Sequence, residues 1–330
     1  MTTPLLDFTP AWWLPGPHAQ TLGARFLRPK GGIEVRRERW ETPDGDFLDL
    51  DFVLGDHLRD DVLVLLLHGL EGSSASGYIF ELGRRLSDQG IGAVALNFRS
   101  CSGELNRGRR LYHSGETSDP AWVIGRLHER RPGLRLAAAG VSLGGNVLLK
   151  LLGESPEASG LYAAAAWSVP FDLAAGSRFM ERGFARNYVA RLLRSLKAKV
   201  RARQAELGPH IDFERSLRAT TFWEFDDAAT APLHGFDGAD DYYRRSSSAG
   251  FIPAISTPTL ILHSRDDPFL PAEAIPTDVM RDNPSVSPVI TDHGGHVGHV
   301  SGGMPLGPHF WAERVIAEFL AARLSLSVER

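Results

Sequence analysis

Cysteine is almost missing from this sequence: Cys101 stands alone in 330 residues. That excludes an internal disulfide framework and fits a reducing compartment. Basic blocks are missing as well. With a net charge of −4 and a pI near 6.3, nothing points to a nucleic-acid partner, and the most basic stretch, residues 191–203, reads as the solvated face of a helix. Fully apolar runs near a strand, such as residues 62–67, are far short of the roughly 20 residues that cross a bilayer. The N-terminus lacks the basic start and apolar core of a secretory signal, and neither internal repeats nor low-complexity linkers occur. These absences together lead to the expectation of a soluble, cytoplasmic protein. A hydrophobic content of 43% can fill a sizeable core, and the length suits one large α/β domain or two small ones.

What is present centres on Gly140-Val141-Ser142-Leu143-Gly144. An apolar segment, residues 134–139, precedes it, and the helical pattern Asn146-Val147-Leu148-Leu149-Lys150-Leu151-Leu152 follows. Strand, G-x-S-x-G, helix is the nucleophile elbow of α/β-hydrolases. The turn is so tight that the serine must adopt a strained backbone conformation, with only small residues two positions to either side. The following helix then aims its N-terminus at developing negative charge.

Short, continuously apolar segments bounded by turn residues predict strands at 47–53, 62–67, 91–96, 134–139, 162–168, 259–263 and 287–291. Helical patterns fall between them at 78–89, 120–130, 145–153, 272–280 and 309–324. This alternation predicts a mostly parallel central sheet flanked by helices, an α/β-hydrolase fold. Residues 1–45 read as an arm packed on the core. Trp12 and Trp13 suit a membrane interface, which would make peripheral membrane contact, but burial against the sheet is the preferred reading. Residues 170–258 are rich in helix formers and aromatics, with no convincing strand. We read 171–236 as a helical cap inserted into a core formed by 1–170 and 237–330.

A serine nucleophile needs a base, and the base needs an orienting acid. In this fold the chain order is Ser, Asp or Glu, His. The strand 259–263 is followed by Ser264-Arg265-Asp266-Asp267-Pro268, which places the acid at Asp267, with Asp266 as the alternative. After the strand 287–291 comes Asp292-His293-Gly294-Gly295-His296-Val297-Gly298-His299, a mobile glycine-rich loop able to swing an imidazole over the elbow. His296 is the expected base. The cluster His293, His296 and His299 also invites a zinc reading, but ligands at that spacing usually sit on a helix and three glycines disfavour one. Two backbone N–H donors are needed for an oxyanion. Leu143 supplies one; Leu70, in His68-Gly69-Leu70-Glu71-Gly72-Ser73-Ser74 after an apolar strand, supplies the other. Arg99 and Glu116 are read as paired charges in a scaffold near the site, and Cys101 as a small buried residue. Phe179, Phe184, Tyr188, Phe213, Phe222, Trp223 and Phe225 of the cap are candidates to enclose an acyl chain, although some must simply pack the cap onto the core.

The stretch Trp12-Trp13-Leu14-Pro15-Gly16-Pro17-His18-Ala19-Gln20-Thr21 resembles the N-terminal signature of the YheT-like α/β-hydrolases, the AB hydrolase 4 family. So do residues 68–74, 97–104, 112–117, 140–146, Asp267-Pro268-Phe269 and 294–298. Phe225-Asp226-Asp227, Thr230-Ala231-Pro232-Leu233-His234-Gly235-Phe236 and Asp241-Tyr242-Tyr243 are similar to that family's cap-to-core junction. One departure is His299, where an aromatic residue is common. The resemblance implies a triad of Ser142, Asp267 and His296, a small-molecule acyl ester as substrate, and no cofactor or metal. Relatives of this kind include bacterial esterases, yeast ester synthase/esterases acting on medium-chain acyl groups, and an animal phospholipase. The leading expectation is therefore a serine carboxylester hydrolase acting on short- to medium-chain acyl esters. Its rivals are acyl transfer to an alcohol, lipase, phospholipase or thioesterase chemistry on the same triad, and a non-catalytic binding protein of the same fold.

Overall fold

The apolar runs do become strands in the computed structural model, which describes residues 7–29, 31–155, 160–305 and 307–325. Strands β1 (Val35–Glu41), β2 (Phe47–Val53), β3 (Val62–Leu67), β4 (Gly92–Asn97), β5 (Arg135–Val141), β6 (Ala163–Trp167), β7 (Thr259–Ser264) and β8 (Val286–Thr291) form one sheet. Their order is β1-β2-β4-β3-β5-β6-β7-β8. The pairs β1–β2 and β2–β4 are antiparallel and the rest are parallel. Alternate residues of β3 face opposite cores. Leu63, Leu65 and Leu67 join one cluster with Val123 and Leu148, while Val62, Val64 and Leu66 join another with Leu82 and Ile316. Every residue of β3 is buried, as a parallel strand covered on both faces requires. Pro288 lies in β8, at the sheet edge, where a residue without an N–H does least harm.

Helix α1 (Gly16–Leu27) precedes the sheet; α2 (Gly77–Ser87), α3 (Ser118–Arg130) and α4 (Leu143–Glu154) connect its strands. Residues of α2 belong to one cluster and those of α3 and α4 to the other. The chain thus leaves the carboxyl ends of the neighbours β3 and β5 toward opposite faces. A crevice opens at such a switch point, outside the strand ends.

The structure departs from the sequence reading in four places. Within the supposed arm 1–45, residues Val35–Glu41 are an edge strand whose run V-R-R-E-R-W-E has no apolar period. Its arginines Arg37 and Arg39 instead pair across to Asp51 and Asp49 of β2, a charged edge of the kind that resists further strand addition. Residues 1–6 of that arm lie outside the described residues. Trp12 is not buried against the sheet: it is 75% exposed, with its indole N–H donating to the Gly303 carbonyl. Trp13 is half-buried beside Val300 and Phe310. The helix expected at 272–280 is broken at Pro276 into a short turn, Ala272–Ala274, and a helix, Thr277–Asp282, because the residue before a proline resists helical geometry. His309–Phe310 pairs with Val300–Ser301 as a two-stranded ribbon before the last helix, Trp311–Ser325.

Between β6 and β7 the chain is helical, from α5 (Leu173–Met180) and α6 (Arg186–Ala202) through short turns to the helix Ala239–Ser246. Met180, Val189, Leu193, Val200, Leu207 and Phe225 give this region a small core of its own.

Helix α4 approaches the sheet so closely that a Cβ on Gly144 would stand 2.4 Å from the Leu67 carbonyl oxygen and 2.6 Å from that of His68. Gly125 of α3, in contrast, has no atom within 4 Å of such a Cβ. We predict that Gly144→Ala destabilises by more than about 3 kcal/mol through backbone overlap. Gly125→Ala should be neutral or stabilise by up to about 1 kcal/mol; denaturant melts of both variants check the pair.

Candidate active site

The loops after β3, β5, β6, β7 and β8 all deliver polar groups to one place. Ser142, between β5 and α4, has φ 54° and ψ −120°, a conformation that costs a non-glycine residue of order 1–3 kcal/mol. Packing holds it there. A Cβ on Gly140 would lie 2.3 Å from the Gly144 carbonyl oxygen, so the turn closes only with glycine at both ends. Ser142 N–H donates to the Trp167 carbonyl at 2.8 Å, which ties the turn to β6.

His296 Nε2 lies 3.0 Å from Ser142 Oγ, and His296 Nδ1 lies 2.8 and 3.1 Å from the two oxygens of Asp267. Of the two adjacent acids, Asp267 is thus the one against the imidazole. Asp266 instead accepts the Gly295 N–H at 2.9 Å. Burial opposes ionisation of Asp267, but the His296 charge and hydrogen bond, His263 and the Phe269 N–H outweigh it, holding the carboxyl below its ordinary range. The Phe269 ring stacks parallel on His296 at 3.8 Å.

The three loop histidines part company. His293 is exposed near Asp266. His299, fully buried, accepts from the Trp167 indole N–H at 3.3 Å and meets Thr291 Oγ1 at 3.2 Å. Burial pushes its pKa down to about 3. Only His296 of the three reaches the elbow, and among the described residues no cluster of metal-ligand type forms. The loop is far from free. Gln20 accepts the Val300 N–H, Thr21 Oγ1 accepts the His296 N–H, Ser168 Oγ accepts the Val297 N–H, and Ser264 donates to the Gly295 carbonyl. The N-terminal signature therefore acts as a buttress for the histidine loop, a purpose invisible in the sequence order.

Leu70 and Leu143 both line the cavity that holds Ser142 and His296. Gly69 N–H donates to the Tyr78 hydroxyl and Glu71 N–H to the Tyr112 hydroxyl. Among the described residues neither Leu70 N–H nor Leu143 N–H donates to a protein group. His68 serves as scaffold: Phe98 N–H donates to its Nε2 at 3.1 Å, so Nδ1 donates to the Gly69 carbonyl at 2.7 Å.

Two further groups escaped the sequence reading. Glu71, with φ 54°, accepts from the Tyr112 hydroxyl at 2.7 Å and from Lys199 of α6 at 2.7 Å, and Ser195 of α6 donates to it too. This buried pair clamps the loop bearing Leu70 to the helices above the site. It also corrects the view of 191–203 as a merely solvated face: Lys199 is mostly buried and Arg203 wholly so. Arg99 and Glu116 are not partners. Arg99 pairs with Asp119 and Asp46, and Glu116 with Arg110, because the start of α3 brings Asp119 rather than Glu116 beneath the guanidinium. Cys101 is half-buried beside Lys199, and burial raises its thiol to about 11, which leaves it unsuited as a nucleophile.

The cavity measures about 130 Å³. Leu173, Met180, Leu192, Leu196 and Phe222 supply much of its apolar wall. Of the seven aromatics expected to enclose an acyl chain, Phe222 alone lines it. Phe179 and Phe184 are exposed, Phe225 packs inside the helical region, Tyr188 packs on Phe269, and Trp223 bonds Asp240. Aliphatic side chains, with Tyr112, Tyr242, Tyr243 and Phe269 from outside that set, make up the wall instead.

With fold and geometry in hand, the class is that of the α/β-hydrolases, a serine at the strand–helix elbow facing an imidazole and a carboxylate. The family model for the alpha/beta hydrolase fold matches residues 62–302. The chain is 38% identical over 323 residues to the putative esterase YheT of Escherichia coli, covering 96% of this chain and 94% of that protein. It is 32% identical over 324 residues to the phospholipase ABHD3 of Mus musculus, covering 96% and 78%. Among solved structures, an esterase of Pyrococcus furiosus superposes with a TM-score of 0.58 at 19% identity, covering 89% of this chain and 98% of that one. The chain belongs to the YheT-like α/β-hydrolases and is an enzyme of that family.

The junction motif also finds a physical account. Asp226 begins a π-helical turn, Asp226–Thr230, and faces the cavity. Burial raises its carboxyl to about 6, and the Tyr243 and Thr230 hydroxyls that donate to it do not offset the rise. A carboxyl whose folded pKa lies above its unfolded value binds its proton more tightly in the fold, so parent stability falls as pH rises from about 4 to 6. Relative to the parent, Asp226→Asn should therefore gain stability across that window, by about 1 kcal/mol or more. Melts at pH 4, 5, 6 and 7 measure it, and a parallel pair of pH profiles would contradict it.

Proposed function

We propose that this chain is a serine carboxylester hydrolase for short- to medium-chain acyl esters. The observation that carries the reading is the unbroken hydrogen-bonded line from Ser142 through His296 to Asp267. Ser142 Oγ attacks the acyl carbonyl while His296 Nε2 takes its proton. Asp267, on Nδ1, fixes the tautomer that leaves Nε2 free to accept. The Leu70 and Leu143 N–H groups receive the oxyanion, the second favoured further by the N-terminus of α4. His296 then returns its proton to the leaving alcohol. Water, activated by the same imidazole, attacks the acyl-enzyme and releases the acid. Besides substrate and water, these steps use protein groups alone, without a cofactor. Residues 171–236 act as the cap, and α6 holds Leu70 in place through Lys199 and Glu71. The mainly apolar cavity above Ser142 suits an acyl chain, and each methylene it buries is worth about 0.8 kcal/mol.

Ser142→Ala should lower ester turnover by about 10⁶ without loss of fold. Asp267→Asn should lower it by about 10⁴. Asp266→Asn should retain most activity, since an amide oxygen still accepts the Gly295 N–H. On a panel of p-nitrophenyl esters, kcat/KM should rise with chain length and fall once the cavity is full. Rates flat with chain length would contradict an enclosed pocket, and ester formation in the presence of ethanol would favour acyl transfer over hydrolysis.

A further inference from the structure

Residues 178–194, at the outer side of α5 and α6, carry five exposed arginines, Arg178, Arg182, Arg186, Arg191 and Arg194, against one acid, Glu181. This concentration occurs in a chain whose net charge is −4. Among the described residues none of the five lies within 4.0 Å of a carboxylate, whereas arginines elsewhere such as Arg37, Arg39, Arg84, Arg99 and Arg110 are paired. Two phenylalanines interleave with them, Phe179 at 38% and Phe184 at 48% exposure. Helix α1 extends the surface. Its His18 ring meets Phe184 at 4.8 Å and Tyr188 of α6 at 5.8 Å between centres, which sets the two helices side by side; Arg25 on the same helix is exposed, and the next residue, Phe26, is 68% exposed.

A run of arginines on a helix is ordinarily a solvated face. Here its position argues otherwise. Phe184 contacts Tyr188 at 5.6 Å between ring centres, Tyr188 contacts Phe269 at 5.1 Å, and Phe269 stacks on His296. A continuous line of rings thus runs from the exposed Phe184 to the proposed catalytic base. We infer that this face docks the protein on an anionic lipid surface, with the arginines at the headgroups and Phe179 and Phe184 dipping into the interface. Unpaired cations supply attraction of about 1 kcal/mol each near an anionic leaflet, and exposed aromatics among them supply the apolar contact that interfacial binding also needs. An acidic protein partner would use the charge but would not need bare phenylalanines next to a cavity for acyl chains. The inference rests on the esterase reading only for why the surface stands there.

Ser142→Ala protein, full length, is to be co-sedimented with vesicles of phosphatidylcholine alone and of phosphatidylcholine mixed with phosphatidylglycerol, which reads docking without chemistry. Binding should be at least about tenfold tighter to the mixed vesicles and should weaken as salt rises. The triple variant Arg178→Glu, Arg182→Glu, Arg186→Glu should lose at least about tenfold in that binding. Introduced without Ser142→Ala, it should melt like the parent and hydrolyse soluble esters at the parent rate. Equal binding to both vesicle types, binding to neither, or unaltered binding by the triple variant would overturn the inference. So would binding to an acidic polypeptide but not to vesicles. Failure of the esterase reading would show separately, as a parent inactive on soluble esters.

Discussion

Steric closeness at one turn governs the rest of this structure. The backbone of α4 lies against the ends of β3 and β5 with no room for a side chain at Gly140 or Gly144. That closeness forces Ser142 into its positive φ, lifts Oγ off the sheet, and brings the start of α4 and its unused Leu143 N–H beside the loop that carries Leu70. Backbone groups cannot drift the way long side chains do. The oxyanion site proposed for them would therefore be preorganised by the fold itself.

Against this rigid centre the other groups are added by hydrogen bonds of high sequence separation. The histidine loop is pinned by Gln20 and Thr21 from the N-terminal region, Ser168 after β6 and Ser264 at the end of β7. From above, α6 reaches down through Ser195 and Lys199 to Glu71, next to Leu70. The geometry of the proposed site is thus shared between the sheet, the N-terminal helix and the helical region.

Much of this was legible because it depends on local rules. The elbow, the strand-end positions of Asp267 and His296, and the alternation of apolar runs with helical periods are all readable from short windows. The edge strand β1 was not, since its residues are held by Arg–Asp pairs to β2 rather than by an apolar pattern. Nor were the partners of Arg99, of Glu71 and of the N-terminal signature, each fixed by residues distant in sequence. The expected wall of the cavity differs for a related reason. Of the aromatic residues expected to enclose an acyl chain, Phe179 and Phe184 face outward, while Leu173, Met180, Leu192 and Leu196 face the cavity.

The most direct test of the account is a crystal structure of the protein after reaction with an alkyl fluorophosphonate. Phosphorus should be bonded to Ser142 Oγ, with its oxygen about 3 Å from both the Leu70 and Leu143 nitrogens, the alkyl chain in the cavity and His296 still against Asp267. An adduct on another residue, or a phosphoryl oxygen turned away from those two N–H groups, would contradict the assignment of nucleophile and oxyanion site.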